Sequence, residues 1–74
     1  MPSYDFEVWQ GERALHCVRG VQIERPVEAW DRVGSLVTQF DGPGCRIAVK
    51  DEQGDIAILV GARAAKQMLA ARAH

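Results

Sequence analysis

The chain has 74 residues, 47% hydrophobic and 26% charged, a balance typical of a folded domain that excludes an intrinsically disordered chain. Nine Lys and Arg against ten Asp and Glu give a net charge of -1 at pH 7, so no overall positive field would attract nucleic acid or an anionic membrane. This length predicts one domain, residues 1–74, with a thin core that a partner subunit could supplement.

The sequence shows no pattern of a secretory signal or of a membrane-spanning segment. Residues 1–5 lack the basic and apolar regions of a secretory signal, and the longest apolar run, residues 56–60, is far shorter than the roughly 20 residues that cross a bilayer. Cys17 and Cys45 lie in different predicted strands and form no C-x-x-C pair. We therefore expect a cytoplasmic protein with no membrane contact and with both thiols reduced.

The first part of the chain predicts a β-hairpin over residues 3–24. Apolar and polar residues alternate in its first strand, a turn follows at residues 10–13, and apolar residues occupy odd positions in its second strand. Gly20 interrupts the second strand, which indicates a bulge or a bend. The predicted inward side chains are Tyr4, Phe6, Val8, Leu15, Cys17, Val21 and Ile23.

A helix is predicted over residues 26–40. Pro26 at the first helical position and acidic residues in the first turn are helix-start signals. Two glycines and a proline in residues 41–44 end the helix. Its apolar side chains recur at helical spacing and are Trp30, Val33, Leu36, Val37 and Phe40.

The remaining chain predicts a second hairpin and a final helix. Residues 45–50 alternate, residues 51–55 carry the glycine of a tight turn, and residues 56–60 are apolar at every position, which favours a strand covered on both faces. Residues 62–73 are rich in alanine and favour a helix. The predicted fold class is α+β, in the order β-β-α-β-β-α, with an antiparallel four-stranded sheet and helices packed on it.

No imidazole or serine stands in a catalytic or metal-binding pattern. His16 has even parity in the second strand and is expected to face away from the core, and His74 is terminal; neither lies at a metal-ligand spacing. Ser3 and Ser35 lack the G-x-S-x-G turn of a nucleophile. We predict no catalytic residue, no metal site and no cofactor.

The cysteines and the glycine-rich loop also favour structural roles. Cys17 belongs to the predicted inward stripe and is expected to be a small buried hydrophobe. Cys45 follows the loop and is expected to be the more accessible thiol, with no neighbour to activate it. The loop at residues 41–44 lacks the lysine and Ser/Thr of a phosphate-binding loop and precedes a strand, so we interpret it as a connector.

Several short motifs carry a resemblance to a known family. The chain begins Met-Pro-Ser-Tyr-Asp-Phe-Glu-Val, has a Gly-Glu turn, then Gly-Val-Gln-Ile before a helix with Glu-Ala, and later has an Asp-Glu-Gln-Gly turn between apolar strands. In these features, over residues 1 to about 60, the chain resembles a family of short bacterial proteins known as a domain of unknown function, whose members begin Met-Pro-x-Tyr-x-Phe-x-Val. The resemblance implies no activity, because the family has none established, and the alanine-rich tail departs from its pattern.

The leading functional hypothesis is a small interaction or accessory domain that forms a homodimer or binds an unidentified protein. Ala57 and Leu59 are expected to point away from the core of the apolar fourth strand and to need a cover. Alternation along the first strand places Trp9 on the face that is expected to contact water. Trp9 either lies exposed there as an interface residue or folds back over the core at the strand end. Trp9, Ala57 and Leu59 are therefore the candidate interface residues.

Two other hypotheses remain open. Removal of Met1 would leave Pro2 as an N-terminal secondary amine, as in the tautomerases that use an N-terminal proline as a general base, although Gly11 and Gly20 prevent the long helix that follows the first strand in those enzymes. Binding of nucleic acid or of a toxin partner would need a basic face. The basic residues are instead scattered among acidic ones, so nucleic acid is the less favoured partner.

Overall fold

The computed structural model describes residues 2–72. Its elements, in chain order, confirm the predicted α+β fold and the order β-β-α-β-β-α. They are β1 (Ser3–Gln10), β2 (Arg13–Gln22), α1 (Pro26–Gln39), β3 (Cys45–Lys50), β4 (Ile56–Gly61) and α2 (Ala62–Arg72).

The four strands form one antiparallel sheet in the order β2-β1-β3-β4. The strands β1 and β3 are therefore central, whereas β2 and β4 are the two edges. Both helices pack on one face of this sheet, and the core lies between them and the central strands. The most deeply buried large side chains are Phe6, Val8, Val33, Ile47 and Val49.

Helix α1 presents the predicted apolar face to the sheet. Pro26 occupies the first turn after an extended Arg25, which matches the fixed φ of proline with a position that needs no amide donor. Val33 and Val37 are buried, and Trp30 and Phe40 are half-buried at the two ends of the face. The apolar face of α1 therefore packs on the sheet along the whole length of the helix.

Helix α2 follows β4 without a loop and lies beside α1 on the same face of the sheet. Ala62 and Ala65 are buried in the shared core. Leu69 packs so closely on Gly34 of α1 that a Cβ there would lie 3.3 Å from Leu69 Cδ1. The opposite face of the sheet receives no cover from α2; Ala73, the last residue of the predicted helix, lies outside the described residues.

The bulge predicted at Gly20 is present, and it changes the parity of β2. Gly20 has a φ of 68°, a left-handed conformation that glycine adopts without a steric cost. Its N–H donates to Asp5 Oδ1 at 3.0 Å, and the register between β1 and β2 shifts between Tyr4 and Phe6. Residues 16–18 therefore face the opposite side from the one that odd-even counting predicts, whereas Leu15, beyond a second register shift, packs against the core as expected.

Two expectations for β2 are wrong for this reason. Cys17, expected in the core, lies opposite Glu7 and is exposed on the face away from the helices. His16, expected to face away, lies opposite Val8 and stacks on Phe40 with 5.4 Å between ring centroids. The correct alternation in this part of the strand is the even one.

The expectation that Cys45 is the accessible thiol is also wrong. Its side chain is only 7% exposed and belongs to the core, because it shares its face of β3 with Ile47 and Val49. Both cysteines are free in the structure.

A further irregularity places Ile56 and Ala57 differently from the prediction. Val49 pairs with Ile58 but the next residue, Lys50, pairs with Ile56, so Ala57 is an extra residue in β4. Ile56 therefore takes the face of Lys50 and is 56% exposed rather than part of the core. Ala57 lines a cavity with core-facing residues instead of sharing the face of Leu59.

Candidate interface on the open sheet face and the β4 edge

The face of the sheet opposite the helices is here called the open face, because no helix of the described residues covers it. Cross-strand pairs order its side chains in rows. One row runs Cys17, Glu7, Ala48, Leu59, the next contains Trp9 and Arg46, and a third contains Asp5, Lys50 and Ile56.

The centre of the open face pairs its own polar groups. Lys50 Nζ lies 3.2 Å from Glu7 Oε1, and Trp9 Nε1–H donates to the same carboxylate oxygen at 3.1 Å. The Arg46 guanidinium lies 5.9 Å from the centroid of the Trp9 ring and donates to the Gly11 carbonyl at 2.7 Å. The polar side chains at the centre of the open face therefore have partners within the chain and are compatible with exposure to water.

Trp9, one of the three candidate interface residues, belongs to this network. It stays on the open face and does not fold back over the core, yet it is only half-buried, with a polar partner for its indole N–H. The residue is therefore not an unsatisfied apolar patch.

The β2 side of the open face carries an exposed thiol and a cation. A hydrogen bond with the Cys17 side chain, and after it the negative charge of Asp5, raises the pKa of Arg19 above its ordinary value. An arginine side chain is in any case charged at physiological pH. Charge on this edge opposes pairing with a second copy of the same edge.

The apolar exposure of the described residues is concentrated on β4. Ile56 is 56% exposed and Leu59 is 58% exposed, and they are two of the four large hydrophobic side chains that remain exposed; the others are Val27 on α1 and Met68 on α2. Within one chain, the described residues leave the side chain of Leu59 without cover, and its exposure agrees with the prediction that Leu59 points away from the core. Cover of this strand by a second copy stays a prediction.

The backbone of β4 adds a second feature. As an edge strand it presents N–H and C=O groups that no neighbouring strand of the described chain pairs. Natural edges are commonly protected by charges, proline or bulges. Edge β2 has two register shifts and exposed arginines, but β4 has neither charge nor proline, and its only bulge lies at its start.

Sequence reasoning missed Ile56 as an exposed residue and missed that the site is an edge. The edge position of β4 had no local signal, because an earlier strand could have paired on its other side. The bulge at Ala57 had no signal either, because the strand is apolar at every position and alternation cannot be counted.

The other candidate chemistries find less support in the geometry. Pro2 lines a cavity, and its carbonyl accepts a hydrogen bond from the Ile23 N–H at 3.1 Å; Met1, whose removal the tautomerase hypothesis requires, lies outside the described residues, as does His74. Within residues 2–72, no group of three or more His, Cys, Asp and Glu side chains is placed to hold a metal ion. No helix in that range is long and apolar enough to span a membrane.

No protein-family model, no curated protein and no solved structure matches this chain. The resemblance to a family of short bacterial proteins therefore stays a prediction.

Proposed function

We propose that this protein is a small interaction domain that works as a homodimer, and that the dimer forms by antiparallel pairing of β4 with β4 of a second copy. The observation that carries the proposal is the coincidence, on one strand, of an unprotected backbone edge and two exposed aliphatic side chains, Ile56 and Leu59. The product would be one continuous eight-stranded sheet with four helices on one face.

A second copy is the occupant that this edge fits best. Pairing about a two-fold axis places each strand residue opposite a residue of the same strand. Strand β4 contains no charged residue, so its self-pairing brings no like charges together, whereas self-pairing of β2 would do so through its arginines. An uncharged, apolar edge strand can otherwise pair with the edges of other chains and cause aggregation. A closed dimer prevents this at β4, because each β4 edge is then paired.

The preferred register follows from the side-chain faces. In an antiparallel pair, directly opposed residues lie on the same face of the sheet. Consecutive residues of β4 lie on opposite faces, so the two-fold axis must pass through a residue and not between two residues. That residue must belong to the part of β4 that follows the bulge. An axis at Leu59 pairs Leu59 with its own copy on the open face and pairs Ile58 with Val60 on the helix face. Both half-buried side chains of the helix face would gain cover, and the two Leu59 side chains would contact each other.

The size of the interface predicts a weak dimer. A few paired residues bury less than the ~1,200 Å² that marks the lower end of standard interfaces, so a dissociation constant in the micromolar range is expected. Association should therefore depend on protein concentration across that range.

Light scattering coupled to size-exclusion chromatography tests the proposal. The parent chain at tens of micromolar, roughly the concentration that such affinities require, should give the mass of two chains. Leu59→Asp should give the mass of one chain, because two carboxylates would meet across the axis. Val27→Asp is the matched control, since Val27 is an exposed aliphatic residue on α1, and it should remain dimeric. A parent of one-chain mass would overturn the proposal.

A charge-swap experiment tests the register. Leu59→Asp and Leu59→Lys should each be monomeric alone, but a mixture of the two should restore a heterodimer, because the two positions are opposed across the axis. A dimer in the parent with no recovery in the mixture would reject the Leu59 register and leave self-association through another surface.

A further inference from the structure

A cavity lies at the start of α1, between that helix and the beginnings of β1 and β4. Its volume is about 410 Å³, which falls in the range of small-molecule sites, ~300–1,000 Å³. Tyr4 comes from β1, Trp30 from α1 and Ala57 from the bulge in β4. The bulge thus contributes a wall of this cavity as well as exposing Ile56.

The chemistry of the lining is specific. Two aromatic side chains, Tyr4 and Trp30, contribute to walls that are otherwise mostly aliphatic, and both are half-buried. Glu24 is the one acidic residue of the lining, and no Lys, Arg or His is among the described residues that form it. Aromatic rings with a nearby carboxylate and no cation attract an organic cation through the negative faces of the rings and the full charge of the acid.

Other acidic side chains lie near this cavity. Glu28, in the first turn of α1, accepts the Glu24 N–H at 3.3 Å and lies 3.6 Å from Arg25 Nε. A neighbouring smaller cavity shares Tyr4 and is lined by Asp51 and Glu52. Arg25, which follows Glu24 in the chain, lies 3.6 Å from Glu28 and does not line the large cavity.

From this arrangement we propose that the cavity binds a small organic cation of the quaternary-ammonium type, with its methyl groups against Tyr4 and Trp30 and its charge balanced by Glu24. An anionic ligand would meet a carboxylate without a compensating base. A neutral ligand would use the apolar walls but not the charge. Leu59 does not line this cavity, although Ala57 and Ile58 of the same strand do, and all of the lining residues belong to one chain.

Choline and its neutral isostere 3,3-dimethyl-1-butanol test the proposal, because the pair differs in charge and hardly in shape. The Trp9→Phe variant leaves Trp30 as the only tryptophan, so its fluorescence reports on the cavity. Choline should shift this fluorescence at about tenfold lower concentration than the isostere does, since two aromatic faces and an acid each favour the charge. Equal or weaker binding of choline, or no shift with either probe, would overturn the proposal.

Glu24→Gln provides the matched variant. Glu24 is exposed, so the substitution should leave the fold intact, and it should weaken choline binding about threefold while leaving the isostere unchanged. Asp31→Gln controls for overall charge, because Asp31 is exposed on α1 and does not line this cavity. A loss of choline binding of the same size in both variants would show a diffuse charge effect and reject the assigned role of Glu24.

Discussion

Gly20 and Asp5 are joined across the bulge of β2 by a hydrogen bond from the Gly20 N–H to Asp5 Oδ1 at 3.0 Å. The bond fixes the point at which β2 changes the face of its side chains. The left-handed conformation of Gly20, with φ at 68°, would be strained for any residue with a Cβ, although nothing lies within 4 Å of the position that a Cβ would take.

Gly20→Ala should therefore lower the free energy of unfolding by ~1–2 kcal/mol through backbone strain alone. Gly42→Ala is the matched control, because its φ is not positive and its Cβ would make only ordinary contacts, at 3.5 Å and 3.7 Å. Urea denaturation of the two variants checks the difference; equal stability would mean that β2 does not require the left-handed conformation.

Phe6→Ala should unfold the domain or nearly so. Phe6 is 1% exposed at the centre of the core, and removal of a buried aromatic ring costs ~3–5 kcal/mol, which is comparable to the whole stability of a domain this small. Trp30→Ala should cost less than that range, because Trp30 is half-buried at the edge of the cavity. Thermal denaturation would contradict this ordering if Trp30→Ala were the more damaging change.

The two thiols should differ in reactivity. In the native protein, a thiol reagent should modify one cysteine quickly, Cys17, because its side chain is exposed and that of Cys45 is 7% exposed. In denaturant both should react. Cys17→Ser should abolish the fast native reaction, and fast modification in that variant would mean that Cys45 is accessible after all.

The ion pair of Lys50 with Glu7 should contribute more stability than that of Lys66 with Asp41. Side-chain exposures are 34% and 15% in the first pair and 64% and 58% in the second, and solvent screens the second pair strongly. Lys50→Ala should cost ~1 kcal/mol and Lys66→Ala less than ~0.5 kcal/mol. Chemical denaturation at low and high salt checks both values, and a larger cost for Lys66→Ala would be the contrary result.

Local signals were sufficient for the elements themselves. Pro26 and the glycines after residue 40 mark the ends of α1, and the alternation of Phe6 with Val8 marks the core face of β1; the structure has both features where they were expected. These signals depend on residues close together in sequence, since caps, turns and side-chain periodicity are properties of a short stretch of backbone. The sequence alone therefore determined the element order and the fold class.

Which side chains share a face, and which strands become edges, was decided only by the tertiary structure. The register shifts at Gly20 and Ala57 reversed the expected positions of Cys17 and Ile56, because one extra residue moves the neighbouring side chains to the other face as far as the next irregularity. Strand order placed β4 at an edge, and the packing of Leu69 on Gly34 kept α2 off the open face. These features arise from pairing and packing between residues distant in sequence, which no local pattern encodes.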